Sequence, residues 1–159
     1  MKFLNKMNKE LIKKEMERLS KDRKVYFIGY NLRFGSQNYG TLKNVSKKKI
    51  LEMPVAENLM TGIAIGMALE GFKPILIFER HDFMLNAFDQ LINHLHKLPE
   101  MSGIFNPKVM IRAKVGHRKP FDPGPQHTQD FTWILKRFFP IEINPKKYKF
   151  DKTKIIIEK

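Results

Sequence analysis

Apolar and polar positions recur along this chain in two rhythms. From Lys6 to Lys21, Met7, Leu11, Ile12, Met16 and Leu19 recur at helical spacing, which predicts an amphipathic helix with a solvated lysine face. Asp22 ends it. Val25-Tyr26-Phe27-Ile28 is then a short continuous apolar run closed by Gly29, the pattern of a strand buried on both faces. Tyr30 to Thr41 is rich in Gly, Asn and Ser and predicts a loop. Ile50 to Met53 predicts a second short strand, stopped by Pro54. Glu57 to Glu70 predicts an apolar helix closed by Gly71. Pro74 to Phe78 predicts a third strand, and Val109 to Ala113 a fourth.

Between those strands, Met84, Phe88, Leu91, Ile92 and Leu95 predict a helix over Phe83 to Lys97. Gly116 to Asp130 is a long loop with three prolines and two glycines, placed after a strand, where loops tend to carry function. Phe131 to Phe138 predicts a short helix, and Ile141-Glu142-Ile143 a strand. Ile155-Ile156-Ile157 predicts a final edge strand. Strands alternate with helices, so the expected class is α/β: a three-layer domain with a mainly parallel sheet and helices on both faces. The 159 residues are expected to form one domain over 1–159, with no internal repeat.

Composition narrows the possibilities. The chain has no cysteine, which excludes disulfides and thiolate metal sites. No apolar run approaches the roughly 18 residues that span a bilayer. The N-terminal segment has no continuous apolar region and carries Glu10, Glu15 and Glu17, against the pattern of a leader peptide. A cytoplasmic location is expected, without membrane attachment. The formal net charge is +14, mostly from dispersed lysines, with clusters only at Lys47-Lys48-Lys49 and from Lys146 onward. No basic motif interleaved with aromatics occurs, which argues against nucleic acid as the partner. The charge serves either solubility or steering toward an acidic protein.

One carboxylate stands out. Glu57 opens the small, glycine-studded segment from Pro54 to Gly71. At a helix N-terminus the dipole tolerates an anion, and such a residue points out of the carboxyl end of a sheet, where ligands bind in open α/β folds. A plain helix-start acid is the alternative. No pattern of two histidines and a carboxylate points to a metal held by this chain.

Three stretches, in order, carry a family resemblance. They are Pro54-Val55-Ala56-Glu57 with its glycine-spaced helix; Asp82-Phe83 followed by Ala87-Phe88-Asp89-Gln90, Asn93, Lys97 and Met101-Ser102-Gly103; and Gly124-Pro125-Gln126-His127-Thr128-Gln129. From about Val25 to Thr132 the chain resembles the pyrimidine-binding domain of the transketolase group of thiamine-diphosphate enzymes. It is most similar there to the beta subunit of the first component of 2-oxo-acid dehydrogenases.

The resemblance implies thiamine diphosphate as cofactor. It gives Glu57 the task of hydrogen-bonding a ring nitrogen of the aminopyrimidine, and Phe83 that of packing on the ring face; a core phenylalanine is the alternative for Phe83. His127 matches a histidine that faces the substrate, with loop bracing as the alternative. The chain also departs from the family. Glu79-Arg80-His81 stands where relatives carry small or aromatic residues, so Arg80 or His81 is a candidate to bind an anionic or hydroxylated substrate such as a sugar phosphate; a local salt-bridge cluster is the alternative. The Gly-Asp-Gly…Asn motif that holds the diphosphate through magnesium does not occur. The diphosphate-binding domain and magnesium are therefore expected from a partner chain, in a heterotetramer.

Two reactions fit this expectation. One is two-carbon ketol or acyloin transfer from a ketose. The other is oxidative decarboxylation of a 2-oxo acid. A non-catalytic regulatory partner that keeps only the fold is a third reading.

Overall fold

The structure, a computed structural model, describes residues 2–159, with side chains from residue 8 onward. Helix α1 (Lys2–Ser20) leads into β1 (Val25–Gly29), then β2 (Ile50–Glu52), α2 (Glu57–Leu69) and β3 (Lys73–Phe78). A 3-10 helical segment (His81–Ala87) runs into a π-helical one (Asp89–His96) and then α3 (Leu98–Ser102). Strand β4 (Met110–Lys114), α4 (Thr132–Leu135), β5 (Ile141–Ile143) and β6 (Lys154–Glu158) follow. The six strands form one sheet in the order β2-β1-β3-β4-β6-β5, and every neighbouring pair is parallel.

Both faces of that sheet are covered, which is why its strands read as unbroken apolar runs. Side chains alternate along each strand. On one face, Phe27, Ile75, Ile77, Met110 and Ile156 pack with Ile12, Met16 and Leu19 of α1. On the other, Ile28, Leu76, Phe78, Ile111, Ala113, Ile155 and Ile157 pack with Met60 and Ala64 of α2 and with Met84, Ala87, Leu91 and Leu95. The three-layer α/β architecture expected above is thus the one observed.

Helix α2 stops as Gly71 implies. Gly71 adopts a positive φ of 78°, its N–H donates to Ala68, and the Phe72 N–H donates to Met67. That is a Schellman ending, which needs a left-handed residue at this position. The segment read as one helix over Phe83 to Lys97 is instead two kinds of helix meeting near Phe88. The helix expected over Phe131 to Phe138 shrinks to Thr132–Leu135. The strand at Ile155 to Ile157 is not at the edge: β6 lies between β4 and β5, and β5 takes the edge. Among the described residues, no helix is long and apolar enough to cross a membrane.

The connection after β1 is held by one side chain. Glu52 accepts backbone N–H groups from Asn31 (2.6 Å), Leu32 (3.0 Å) and Arg33 (2.6 Å). These three amides would otherwise lack partners at the turn. Glu79 adds a tie to the Ser36 hydroxyl at 2.8 Å. The loop is thereby fixed over the carboxyl end of the sheet, with Tyr30 at its start.

Candidate functional site

The candidate residues gather at the carboxyl ends of β1, β3 and β4, the edge at which open parallel sheets bind ligands. Glu57 is the first residue of α2 and is buried, with 4% of its surface exposed. The Tyr30 hydroxyl donates to its Oε1 at 3.4 Å, and the Asn86 amide donates to its Oε2 at 3.3 Å. Both bonds are long and both donors are neutral. Each carboxylate oxygen keeps acceptor capacity beyond them. The Thr61 hydroxyl closes on the Glu57 carbonyl at 2.8 Å and so steadies the first turn of the helix. Burial, with the Glu57 charge beside it, pushes the Tyr30 phenol well above its ordinary range, so it remains a donor.

Phe83 lies in the 3-10 segment three residues before Asn86. Three residues make one 3-10 turn, so these two side chains share an edge. Phe83 meets His127 edge-to-face, with ring centroids 5.5 Å apart and planes at 81°. Glu57 contacts Asn86, and His127 contacts Phe83. The structure therefore brings Glu57, Phe83 and His127 to one helical edge. His127 Nδ1 is buried and has no hydrogen-bond partner among the described residues.

The neighbouring pair His81 and Asp82 faces the long loop. Asp82 Oδ1 accepts the Gln129 N–H at 3.1 Å, and His81 Nδ1 accepts the Phe131 N–H at 3.2 Å. The His81 ring is wholly buried and meets Phe131 edge-on at 5.9 Å. Burial lowers its pKa, against the opposing pull of Asp130 and Asp82, which favours the neutral ring. An acceptor role at Nδ1 puts the proton of that ring on Nε2. His81 thus sits inside the fold as a brace for the loop, rather than at the mouth where a substrate would meet it. Asp130 is held low, at about 2: burial raises it, but Lys159 at 2.5 Å and Thr132 outweigh that.

Arg80 turns elsewhere. Its guanidinium lies over the Tyr39 ring at 5.1 Å, next to Lys114, whose ammonium lies 5.3 Å from the same ring. Arg80 therefore stands apart from the contacts that join Glu57, Phe83 and His127.

Four residues of this site carry no assigned role in the sequence reading. Tyr30 reaches Glu57 from the loop after β1 and Asn86 from the 3-10 segment, and neither belongs to a motif. Asp82 opens the second of the three stretches but has no role of its own there. Gly116 is the fourth: a Cβ there would lie 1.8 Å from the His127 carbonyl oxygen and 2.9 Å from its carbonyl carbon. A glycine two residues after β4 and eleven residues before the histidine was the available signal.

Comparison with known proteins bears on this arrangement. Residues 5–116 match the family described as "Transketolase, pyrimidine binding domain". The chain is 36% identical over 118 residues to the pyruvate dehydrogenase E1 component subunit beta of Cyanidium caldarium, covering 71% of this chain and 36% of that one. It is 31% identical over 120 residues to the mitochondrial counterpart of Saccharomyces cerevisiae, covering 73% and 32%. It spans about a third of the length of these relatives. A solved structure of a split gene transketolase, an inactive beta4 tetramer, superposes with a TM-score of 0.68 at 16% identity, over 95% of this chain and 50% of that one.

Proposed function

Because the chain belongs to the family of transketolase pyrimidine-binding domains, we propose that it is the pyrimidine-binding subunit of a split thiamine-diphosphate enzyme, with Glu57 as its activating carboxylate. The observation that carries this reading is the buried Glu57 carboxylate, held by only two long neutral bonds. A desolvated acceptor with spare lone pairs suits a hydrogen bond to a ring N–H or ring nitrogen. The half-buried Phe83 and the unpartnered Nδ1 of His127 lie along the same edge. This donor set fits the pyrimidine end of the cofactor.

The bound cofactor supplies the carbanion-stabilising ring. Within the chain, Glu57 would hold a ring nitrogen of the group through a hydrogen bond at its carboxylate, and Phe83 would offer an aromatic edge and face that hold a flat ring at low entropic cost. His127 faces the substrate side and holds or releases a proton at its imidazole. His81 and Asp82 position that histidine by tying the backbone on its far side. Arg80 is the remaining candidate for an anionic substrate group.

The diphosphate end and its magnesium are assigned to a partner chain in a heterotetramer. The likeness in fold to a split gene transketolase supports this. The substrate is a ketose or a 2-oxo acid. Two-carbon ketol or acyloin transfer is the first reading. Oxidative decarboxylation is the second, favoured by the 31–36% identity to pyruvate dehydrogenase beta subunits.

Affinity capture of the tagged chain from its own cells, with mass spectrometry, is expected to recover a chain bearing the diphosphate motif. The recovered complex should bind thiamine diphosphate in the presence of magnesium and turn over either a ketose donor or a 2-oxo acid. Glu57→Gln in that complex should lower turnover by about a hundredfold or more, the loss of a proton-transfer contribution. Tight binding of thiamine diphosphate by the isolated chain would refute the split site. Full turnover by Glu57→Gln would refute the role of the carboxylate.

A further inference from the structure

The other face of the sheet holds a second concavity that the proposed function does not use. Strand alternation sends Ile111 and Ala113 toward α2, and Arg112 and Lys114 toward α1. Between α1 and that face lies a cavity of about 340 Å³, whose walls include Lys9, Ile12, Thr41, Arg112, Lys114 and Glu158. It is thus separated from Glu57 by the thickness of the sheet.

Charge inside this cavity is unbalanced. Arg112 is buried and pairs with Glu158 through Nε and, at 3.3 Å, through Nη2. Its Nη1 is buried with no hydrogen-bond partner among the described residues. Among the described side chains of the wall, Glu158 is the acidic one, and Arg112 engages both of its oxygens. Lys9 and Lys114 take part in none of the ion pairs formed among the described residues. Burial lowers the Lys114 ammonium; Glu158 opposes this, while Arg80, Arg112 and Lys9 add to it. Lys159, also in the wall, is occupied by Asp130 at 2.5 Å.

The half-buried Lys114 ammonium and the free Nη1 of the buried Arg112 lack a counter-charge of their own, and the exposed Lys9 adds a third positive group at the rim, so a bound anion would supply the missing charge. A guanidinium and two ammonium groups around one space suit a tetrahedral dianion, which offers several acceptor oxygens at once. The volume lies at the lower end of small-molecule sites, room for a phosphate with a short polar body beside Thr41. We propose that this cavity between α1 and the sheet is a binding site for a small phosphate monoester, recognised by Arg112, Lys9 and Lys114. It stands independently of the cofactor site.

The test is isothermal titration of the chain with inorganic phosphate and with glycerol phosphate at constant ionic strength. One saturable site is expected for each. The double variant Lys9→Gln/Lys114→Gln should weaken both by at least tenfold. Lys47→Gln/Lys48→Gln removes the same charge from the turn before β2 and should change affinity less than twofold. Without phosphate, the Lys9/Lys114 variant should melt no lower than the native chain, because relief of the repulsion among Lys9, Lys114 and Arg112 outweighs the lost contact of Lys114 with the Tyr39 ring. An equal loss in both double variants, absence of a saturable site, or a lower melting temperature of the Lys9/Lys114 variant would overturn the proposal.

Discussion

Replacing Gly116 by alanine would set a methyl carbon 1.8 Å from the His127 carbonyl oxygen. The backbone at Gly116 does not occupy the left-handed region, so strain in φ is not the issue; space is. Ordinary contact begins near 3.4 Å, so the two strands of the loop must separate by about 1.6 Å. The neighbouring atoms are backbone, and they cannot swing aside as a side-chain tip would. The loop is also tethered just beyond His127 by the Asp82–Gln129 and His81–Phe131 bonds. Opening it puts two hydrogen bonds at risk, each worth about 1 kcal/mol. Keeping it closed costs about 1–3 kcal/mol of overpacking. Either route gives a loss of about 2 kcal/mol, or about 4–8 °C in melting temperature for a domain of this size. His127 would also leave the edge of Phe83, which shifts its ring protons in an NMR spectrum. If the chain acts as the split enzyme proposed above, with His127 at the substrate, a displacement above about 1 Å there should cost about a hundredfold in rate. An unchanged melting temperature together with unmoved His127 resonances would refute the reasoning.

Other consequences are open to test. His81 carries a pH signature: its folded pKa lies below the unfolded value of about 6.5. Its contribution to stability is therefore fully present above about pH 6.5 and is lost as pH falls from there through the folded value. His81→Phe should flatten the denaturation midpoint in that window, leaving the separate acid loss near Asp130, which runs from 3.8 down to about 2; an unchanged slope would contradict it. Tyr30→Phe removes one bond to Glu57 and should weaken thiamine diphosphate binding in the proposed complex by about fivefold, near 1 kcal/mol, as read by titration calorimetry. Glu52→Ala strips the acceptor from three amides and should cost about 2 kcal/mol in chemical denaturation, with faster hydrogen exchange at Asn31, Leu32 and Arg33.

Particular elements show what a one-dimensional pattern can carry. The strands were legible because burial on both faces leaves uninterrupted apolar runs, and α1 because Ile12, Met16 and Leu19 return at helical spacing. Gly71 announced the end of α2 through its backbone geometry alone. The helix after β3 was legible as helical, but its hydrogen-bond step was not. Apolar spacing over so few turns does not distinguish 3-10 and π windings from α. The place of β6 was misjudged because position in the chain says nothing of position in a sheet; its three consecutive isoleucines did mark it as covered on both faces. Glu57, Phe83 and His127 were legible as members of ordered stretches. Tyr30, Asn86, Asp82 and Gly116 were not, since each acts through a contact across 11 to 47 residues.

The interior place of β6 also governs the order in which the molecule can be completed. Strand β5 pairs with β6 alone, and β4 has β6 as its second neighbour. A growing chain that has not yet delivered residues 154–158 can assemble β2, β1, β3 and β4, but it leaves an open flank on β4 and a stranded β5. Such a flank is a template for pairing with another chain. Strand β6 closes two gaps at once, so its delivery, rather than that of any earlier element, is the step that removes this open flank.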